Sequence, residues 1–355
     1  MAWRDDGTLY VLGPSRNAIR VYGANGGLLR KLGRDRDTVA RAPGAPVALS
    51  VDSFEDNDDP FGWGELVEFT PASESWQGGL IAVRSDTLAV QYRLHSPLRI
   101  LGSNGNLLAE PEDLLGLAWQ PLTIDSLGRL WLPSTPDSSR SAWIRVRMNG
   151  EVIDTISAPL DSSPARPGDW CAYLFVPDGV GSQCVVAPHR PLAIAIPRID
   201  GLIIAGNTVN YRFAVLRSMR DTIRVFDAPA TTFTLSDAQL DSLIILKTTS
   251  TDTAAQREWR AQAKRSDIPR TTLPWSQMAL DGDGRLWVGV PDWTGKVIRL
   301  QVFTREGVLL GDVPPPSTEI FGLAAWSRDR LAVVEKEASG KQVIKTFHLQ
   351  TTPPK

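Results

Sequence analysis

The chain has 355 residues, of which 42% are hydrophobic and 22% charged, a composition that excludes global disorder and allows one or two domains. Its 38 Lys and Arg against 40 Asp and Glu give a net charge of −2, so no basic surplus points to nucleic acid or anionic lipid. No apolar run reaches the length of a membrane span, and we expect no transmembrane segment.

Six copies of one pattern follow each other along the chain, each an Asp-containing turn and a short apolar strand, near residues 5, 85, 125, 199, 281 and 328. The clearest pair is Asp125-Ser-Leu-Gly-Arg-Leu-Trp131 and Asp281-Gly-Asp-Gly-Arg-Leu-Trp287. Most copies continue into further strands joined by Gly turns such as Asn149-Gly150, a strong hairpin signal. Six four-stranded antiparallel units predict an all-β protein, a six-bladed β-propeller, because stacked blades bury faces that one unit leaves exposed.

The repeated Asp-x-x-Gly-Arg-Leu-Trp pattern resembles the NHL repeat and the six-bladed propellers related to it, over most of the chain. That resemblance implies a fold rather than an activity, since such propellers include lyases, lactonases, sugar oxidoreductases and binding modules. Two stretches depart from the repeat, residues 34–77 and residues 228–272.

The second excursion carries the helix signals. Ser236 with Gln239, and Thr253 with Gln256, have the spacing of capping boxes. Ala255, Trp259 and Ala263 then fall on one helical face. We predict a helix from Ala254 to Arg265, packed against a rim or side of the propeller, within a short helical insertion near residues 235–265.

The ends predict how the ring closes. The last unit has room for three strands, whereas the first unit starts at an innermost strand, and propellers often complete one blade with strands from both ends. We therefore expect residues 1–355 to form a single propeller domain that lacks an N-terminal closing strand. No signal peptide opens the chain, and the same missing segment would carry an export signal.

Cys171 and Cys184 flank a predicted hairpin whose turn contains Pro177, Asp178 and Gly179. With a two-residue turn, residues whose numbers sum to 355 face each other, and the two cysteines form such a pair of the closer, non-hydrogen-bonded type. A disulfide is the favoured interpretation. Two buried free thiols and a metal site are the alternatives, and a bulge at Gly179 would shift the register. A disulfide predicts an extracytoplasmic protein, periplasmic, cell-envelope or secreted.

No catalytic motif appears in the sequence. Patterns for zinc proteases, serine hydrolases and phosphate loops are absent, and only three histidines exist, so we predict no metal and no cofactor. The acidic run between Asp52 and Asp59 lacks the Gly and Glu of a calcium loop and is interpreted as a solvated loop.

A ligand site is expected where propeller ligands usually bind, on the face formed by loops that enter innermost strands and loops between second and third strands. Aromatic and Arg residues, which are common in binding hot spots, are frequent there. Each of them alone also suits a structural role, and Trp119 and Trp275 would fit between blades. The predicted face comprises Arg16, Asn17, Arg93, His95, Trp119, Gln120, His189, Arg190, Tyr211, Arg212, Trp275, Gln277 and Trp293.

Two function classes stay open. The first is a non-catalytic, monomeric binding or scaffold propeller that engages a protein, peptide or glycan. The alternative, implied by the resemblance, is a lyase or lactone hydrolase that holds a divalent metal in its channel, with His189 and Glu319 as candidate ligands. The apolar innermost strands weigh against this alternative, because such a metal site needs several converging polar ligands.

Overall fold

The computed structural model describes residues 1–12, 18–33, 80–91, 98–110, 122–137, 140–157, 170–176, 179–185, 187–317, 321, 324–336 and 342–349.

Six antiparallel sheets follow one another along the chain and form the blades of a six-bladed β-propeller, as predicted. The first three blades have four strands each. Blade 1 contains β1 (Ala2–Trp3), β2 (Leu9–Leu12), β3 (Ala18–Tyr22) and β4 (Leu28–Gly33). Blade 2 contains β5 (Leu80–Arg84), β6 (Thr87–Gln91), β7 (Arg99–Gly102) and β8 (Leu107–Ala109). Blade 3 contains β9 (Thr123–Ile124), β10 (Leu130–Asp137), β11 (Arg140–Val146) and β12 (Val152–Ser157).

A separate hairpin, β13 (Trp170–Val176) and β14 (Gly179–Val185), lies between the third and fourth blades in the chain. Blade 4 contains β15 (Ala193–Pro197), β16 (Ile203–Asn207), β17 (Arg212–Ser218) and β18 (Asp221–Asp227). Two helices follow, α1 (Asp237–Lys247) and α2 (Thr253–Gln262). Blade 5 contains β19 (Gln277–Leu280), β20 (Leu286–Pro291), β21 (Val297–Phe303) and β22 (Leu309–Val313). Blade 6 shows three strands in its described part, β23 (Ala324–Trp326), β24 (Arg330–Lys336) and β25 (Gln342–His348).

The first strand of each blade is the innermost one, because β1 lies against β5 and β23, and β5 lies against β9. The ring closes where blade 6 meets blade 1. There the Trp3 indole donates a hydrogen bond to the carbonyl of Ala325 at 3.0 Å, and Leu9 packs on Ala325 and Ala332. The expectation of a missing N-terminal segment stays a prediction.

The Asp turns of blades 3 and 5 explain the sequence pattern that repeats there. Asp281 is buried, and one of its carboxylate oxygens accepts hydrogen bonds from the Asp283 and Arg285 amides, both at 3.0 Å. The other oxygen accepts from Arg285 Nε at 2.6 Å and from the Trp287 indole at 2.9 Å. Asp125 makes the same four contacts in blade 3. Gly284 has φ +77°, which suits glycine.

These turns also join neighbouring blades. Together with the turns between third and fourth strands they form one end of the propeller, which we call the lower face (residues 4–8, 23–27, 85–86, 103–106, 125–129, 147–151, 198–202, 219–220, 281–285, 304–308 and 327–329). On it, the Ser126 amide donates to the Ile199 carbonyl at 2.5 Å, and the Gly282 amide donates to the Ser327 carbonyl at 3.0 Å. An ion pair between Arg328 and Asp283 at 2.6 Å also links blade 6 to blade 5. The Asp residues therefore serve packing and turn geometry.

The hairpin and the helices pack together into one structure, which we call the cap (residues 170–176, 179–185 and 235–268). Its core joins Trp170 and Ala172 of β13 to Leu240, Leu243 and other buried residues of the helical segment. The Trp259 indole donates to the Gln183 carbonyl at 3.1 Å, so α2 is tied to β14 as well. Two insertions that are far apart in sequence thus bury one apolar core between them.

The predicted helix differs from α2 at both ends. The N-cap is Asp252, whose carboxylate accepts from the Ala254 and Ala255 amides, so Thr253 is the first helical residue rather than the cap. Ala263 has an extended backbone (ψ 127°), which ends the helix at Gln262, and Arg265–Asp267 form a separate short turn of helix. The Ser236–Gln239 capping box is confirmed and starts α1.

Candidate binding face

The loops that enter first strands and the loops between second and third strands meet at one end of the propeller, which we call the upper face (in the described part, residues 187–192, 208–212, 273–277 and 292–296). In blade 4 the Thr208 amide donates to the Leu192 carbonyl at 2.9 Å, and the Leu192 amide donates to the Thr208 hydroxyl at 2.8 Å. Both insertions that form the cap enter from this face, so the cap stands beside blades 4 and 5 on the predicted side.

A disulfide between Cys171 and Cys184 crosslinks the cap hairpin, as predicted. The two cysteines are opposite each other in a ladder that runs without a register shift from Trp170 and Val185 to Val176 and Gly179. Cys184 is exposed and Cys171 is partly buried. The bulge at Gly179 that would have shifted the register is absent from the described residues of this ladder.

The disulfide hairpin is held against α2 by one side chain that the sequence did not single out. The Gln262 amide oxygen accepts from the Cys171 backbone N–H at 2.8 Å, and its NH₂ group donates to the Cys171 carbonyl. Gln262 thus bonds the backbone of β13 as a neighbouring strand would. No local pattern predicts this contact, because its two residues are 91 positions apart.

His189 links the cap region to blade 5. Its ring nitrogen Nε2 lies 2.8 Å from the carbonyl oxygen of Trp293, to which the Nε2–H tautomer donates. The side chain is buried and its backbone has φ +55°. Burial lowers the pKa of His189, as does the charge of Lys247, while the Trp293 hydrogen bond and Asp292 oppose that shift. His189 is therefore a neutral structural contact near neutral pH.

Two other residues of the predicted face are buried between blades 4 and 5. Trp275 is fully buried, and its indole donates to the Asn210 carbonyl at 2.9 Å. The Tyr211 hydroxyl donates to Gln301, and burial raises the pKa of Tyr211. Both rings pack on Phe213. In this structure their surfaces are used for blade packing, the structural role that Trp275 was also predicted to suit.

The remaining described members keep accessible surface. Arg212 forms a loose ion pair with Asp227 at 3.6 Å, and its side chain is 63% exposed. Gln277 is exposed at the first position of β19, and Trp293 and Arg190 are partly buried. The candidate ligand Glu319 lies outside the described residues. So do the other predicted members of the face, which are Arg16, Asn17, Arg93, His95, Trp119 and Gln120.

The upper face also exposes residues that the sequence analysis missed. Leu192 and Val209 are exposed aliphatic side chains beside the hydrogen-bonded Thr208, next to the exposed Asn210. Their proximity follows from the contact between two loops of blade 4, which the sequence does not reveal. In the described part of the chain, no three His, Cys, Asp or Glu side chains converge as metal ligands would, and no helix is long and apolar enough to span a bilayer.

No protein-family model and no curated protein sequence matches the chain, so the NHL resemblance stays a prediction. The architecture itself defines the class, a six-bladed β-propeller. Similar solved structures include Kluyveromyces lactis Hsv2, with 8% identity, 97% of this chain and 84% of that chain covered, and a TM-score of 0.37.

Two further similar structures are virginiamycin B lyase from Staphylococcus aureus and the β-propeller domain of Cps50 (Swd1) from Myceliophteria thermophila. The lyase shares 13% identity over 78% of this chain and 86% of that chain, with a TM-score of 0.33. The Cps50 domain shares 12% identity over 79% of this chain and 100% of that chain, with a TM-score of 0.30. None of these likenesses says what this chain binds or does.

Proposed function

We propose that this chain is a non-catalytic, extracytoplasmic binding propeller, a single domain that acts as a monomer without a cofactor and engages a protein, peptide or glycan on its upper face. The observation that carries the proposal is the cap. Two insertions, the first closed by the Cys171–Cys184 disulfide, share one buried core and form a wall beside the upper ends of blades 4 and 5. Rigid walls around accessible side chains favour binding, because little ordering is needed when a ligand arrives.

The groups offered beside this wall are suited to recognition. Arg212 and Gln277 supply exposed hydrogen-bond donors, and Gln277 also supplies an acceptor. Trp293 is partly accessible and is fixed through its carbonyl by His189. Leu192 and Val209 add exposed apolar surface on blade 4. Apolar area next to a few directed polar groups is the usual composition of a specific binding surface.

Localisation outside the cytoplasm is supported by the disulfide, since such bonds persist mainly in oxidising compartments. Thiol labelling of intact cells and of lysates with a membrane-impermeant maleimide, before and after reduction, tests this part. We expect no labelling of either cysteine until a reductant is added. Labelling of unreduced, freshly lysed protein would contradict the proposed compartment.

The binding proposal is tested by screening the purified protein on a glycan array and on a peptide array. We expect a ligand whose binding is lost in the double variant Arg212→Ala/Gln277→Ala and kept in Arg147→Ala, an exposed arginine of the lower face. Equal loss in both variants, or loss in neither, would contradict an upper-face site.

A thermal-shift titration with Ca²⁺, Mg²⁺, Mn²⁺ and Zn²⁺ tests the absence of a cofactor. We expect no change of the melting temperature with any of the four ions. A melting temperature that rises with ion concentration would instead favour the metal-dependent lyase or lactone hydrolase, because an ion that binds the folded state stabilises it.

A further inference from the structure

A groove lies on the outer flank of blade 5, and its lining shares no residue with the upper face. It encloses about 460 Å³ where the segment leading to α1 crosses the upper ends of the blade's outer strands. Its apolar walls come from the inserted segment and from three strands of the blade. The lining residues are Thr231, Phe233, Val290, Pro291, Ile298, Arg299, Asp312, Val313 and Pro314.

The wall formed by Phe233 is held in place before any ligand arrives. The Phe233 amide donates to the Thr272 hydroxyl at 2.9 Å, and the Thr272 amide donates to the Phe233 carbonyl at 3.0 Å. Despite this anchoring, the Phe233 side chain is 52% exposed. Because the backbone of Phe233 is already fixed, its exposed ring offers an apolar contact surface that loses little conformational entropy when a ligand binds.

The charges of the groove cancel each other. Arg299 and Asp312 form an ion pair at 3.0 Å, with both side chains about 40% exposed. A charged ligand group placed here would have to compete with this pair, whereas an uncharged apolar group would meet the surrounding valines and prolines without that cost. The groove therefore suits an apolar side chain.

The same groove lies at the end of a free strand edge. β22 pairs with β21 on one side, and in the described part of the chain no strand pairs with its other side. Its one charged residue is Asp312, already neutralised by Arg299, whereas the outer strands β4 and β18 carry Lys31 and Arg224. The outer strand β8 has no charged residue and β12 has one, so the adjacent groove is what sets β22 apart. A register shift at Leu310 and the prolines 314–316 restrict pairing to a few residues. Unpaired edges with few charges are templates for an added strand.

We propose that this flank groove binds a short extended peptide segment of a partner protein, which pairs with the edge of β22 and places one large uncharged apolar side chain against Phe233. The site goes beyond the proposed upper-face function and does not depend on it. The class of ligand follows from the position of the groove beside the edge of β22. A strand edge pairs with an extended backbone, and the neutral apolar groove accepts an apolar side chain.

The experiment uses Thr-Val-Phe-Val-Thr-amide with fluorescein attached to its N-terminal amine as the probe, and follows its anisotropy on titration with the full chain. We expect saturable binding below about 1 mM, the range of small interfaces. Two probes are controls: one with Lys in place of Phe, and one with N-methylated amides that cannot pair with a strand. Both should bind about tenfold more weakly or not at all.

Protein variants locate the site. Phe233→Ser and Ile298→Ser both replace exposed groove residues, and each should weaken the probe about tenfold, whereas Leu29→Ser, an equally exposed residue of β4, should not. Amide hydrogen exchange should slow in β22 when the probe binds. β12 is the comparison strand within the same protein. Like β22 it is an outer strand whose one carboxylate is paired, here Asp154 with Arg145.

Three results would overturn the proposal. The first is equal binding of the Phe and Lys probes. The second is equal protection of β12 and β22 from amide hydrogen exchange, which would mean that a strand edge binds the probe without the groove. The third is a concentration-dependent dimer in analytical ultracentrifugation that Phe233→Ser disperses, since a second copy would then be the occupant. A peptide-array ligand that Phe233→Ser releases and Arg212→Ala/Gln277→Ala keeps belongs to the groove, and one with the opposite behaviour belongs to the upper face, so the two sites fail separately.

Discussion

The hydrogen bonds that shape each Asp turn of the lower face are local, whereas those that hold the cap together join distant parts of the chain. In the turn of blade 5, the Asp281 carboxylate bonds partners no more than six residues away. In the cap, the contacts of Trp259 with Gln183, of Gln262 with Cys171 and of Trp170 with Asp267 join residues 76 to 97 positions apart. The disulfide is the local exception in the cap, since it closes a separation of 13 residues.

This difference implies two levels of stability. A turn that satisfies its own polar groups forms as soon as its two strands pair, and the blades then support one another around the ring. The cap buries its apolar core only when both insertions are present and docked. We therefore expect the cap to open at a lower free energy than the propeller body, as a separate cooperative unit.

The largest effect should come from removing one lower-face carboxylate. Asp281→Ala leaves the Trp287 indole and two backbone amides without their acceptor, and takes from Arg285 its shortest ion pair, all in a buried turn. We expect a loss of about 3 to 4 kcal/mol in the free energy of unfolding, measured by denaturant titration. Asp125→Ala should lose a similar amount, because its contacts are the same.

The matched control is Asp221→Ala, which breaks an ion pair with Arg217 between two exposed side chains. Exposed pairs contribute about 1 kcal/mol or less, so this variant should remain near the wild-type stability. If Asp281→Ala were no more destabilising than Asp221→Ala, the buried carboxylate would not have the structural role that its geometry indicates.

The next effect concerns the cap alone. Replacing Cys171 and Cys184 with Ser removes a crosslink over 13 residues, which corresponds to about 3 kcal/mol in the chain-entropy account. We expect amide hydrogen exchange in α2 to accelerate accordingly, while exchange in the buried strand β20 stays unchanged. Equal acceleration in both elements would show that cap and propeller unfold together, which contradicts the separation inferred above.

The same difference in range explains what the sequence could predict. Blade number and strand order follow from short repeats such as Asp125 to Trp131, because the hydrogen bonds that shape each turn lie inside the repeat. The register of Cys171 and Cys184 could be counted from their own turn for the same reason. The boundaries of α2 were less predictable, because Asp252 and Thr253 are both good caps and the local spacing does not decide between them.

Long-range contacts decide the candidate site, and here prediction from one sequence reaches its limit. Tyr211, Trp275 and Trp293 look alike as aromatic loop residues, yet two of them are buried between blades and one is partly accessible. Which of them faces solvent depends on how blade 4 packs on blade 5. The docking of β13 on α2 through Gln262 depends likewise on two insertions that share no repeat.

A smaller effect tests that docking directly. Gln262→Ala removes both bonds to the Cys171 backbone and should lower the opening free energy of the cap by about 1 to 2 kcal/mol, measured by hydrogen exchange in α2. Gln262→Glu keeps the acceptor and loses the donor, so it should fall between the alanine variant and the wild type. Gln256→Ala, six residues earlier in the same helix, is the control. An equal loss there would show that the effect does not come from the bonds to Cys171.

The smallest effect is a pH dependence of the contact between His189 and Trp293. Burial lowers the pKa of His189 in the closed structure, so above about pH 6.5 the ring is neutral in both the closed and the opened state and the contact is unaffected. As the pH falls below that value, the opened state takes up a proton first, and the closed state loses stability until its own pKa is reached. We expect the stability of this contact to fall between pH 7 and pH 5, followed by hydrogen exchange around residues 187–192 and 292–296. His189→Asn, which tolerates the positive φ, should abolish this dependence, whereas His348→Gln on the exposed last strand should leave it intact. A pH dependence that persists in His189→Asn would assign the effect to other titrating groups and not to the contact between His189 and Trp293.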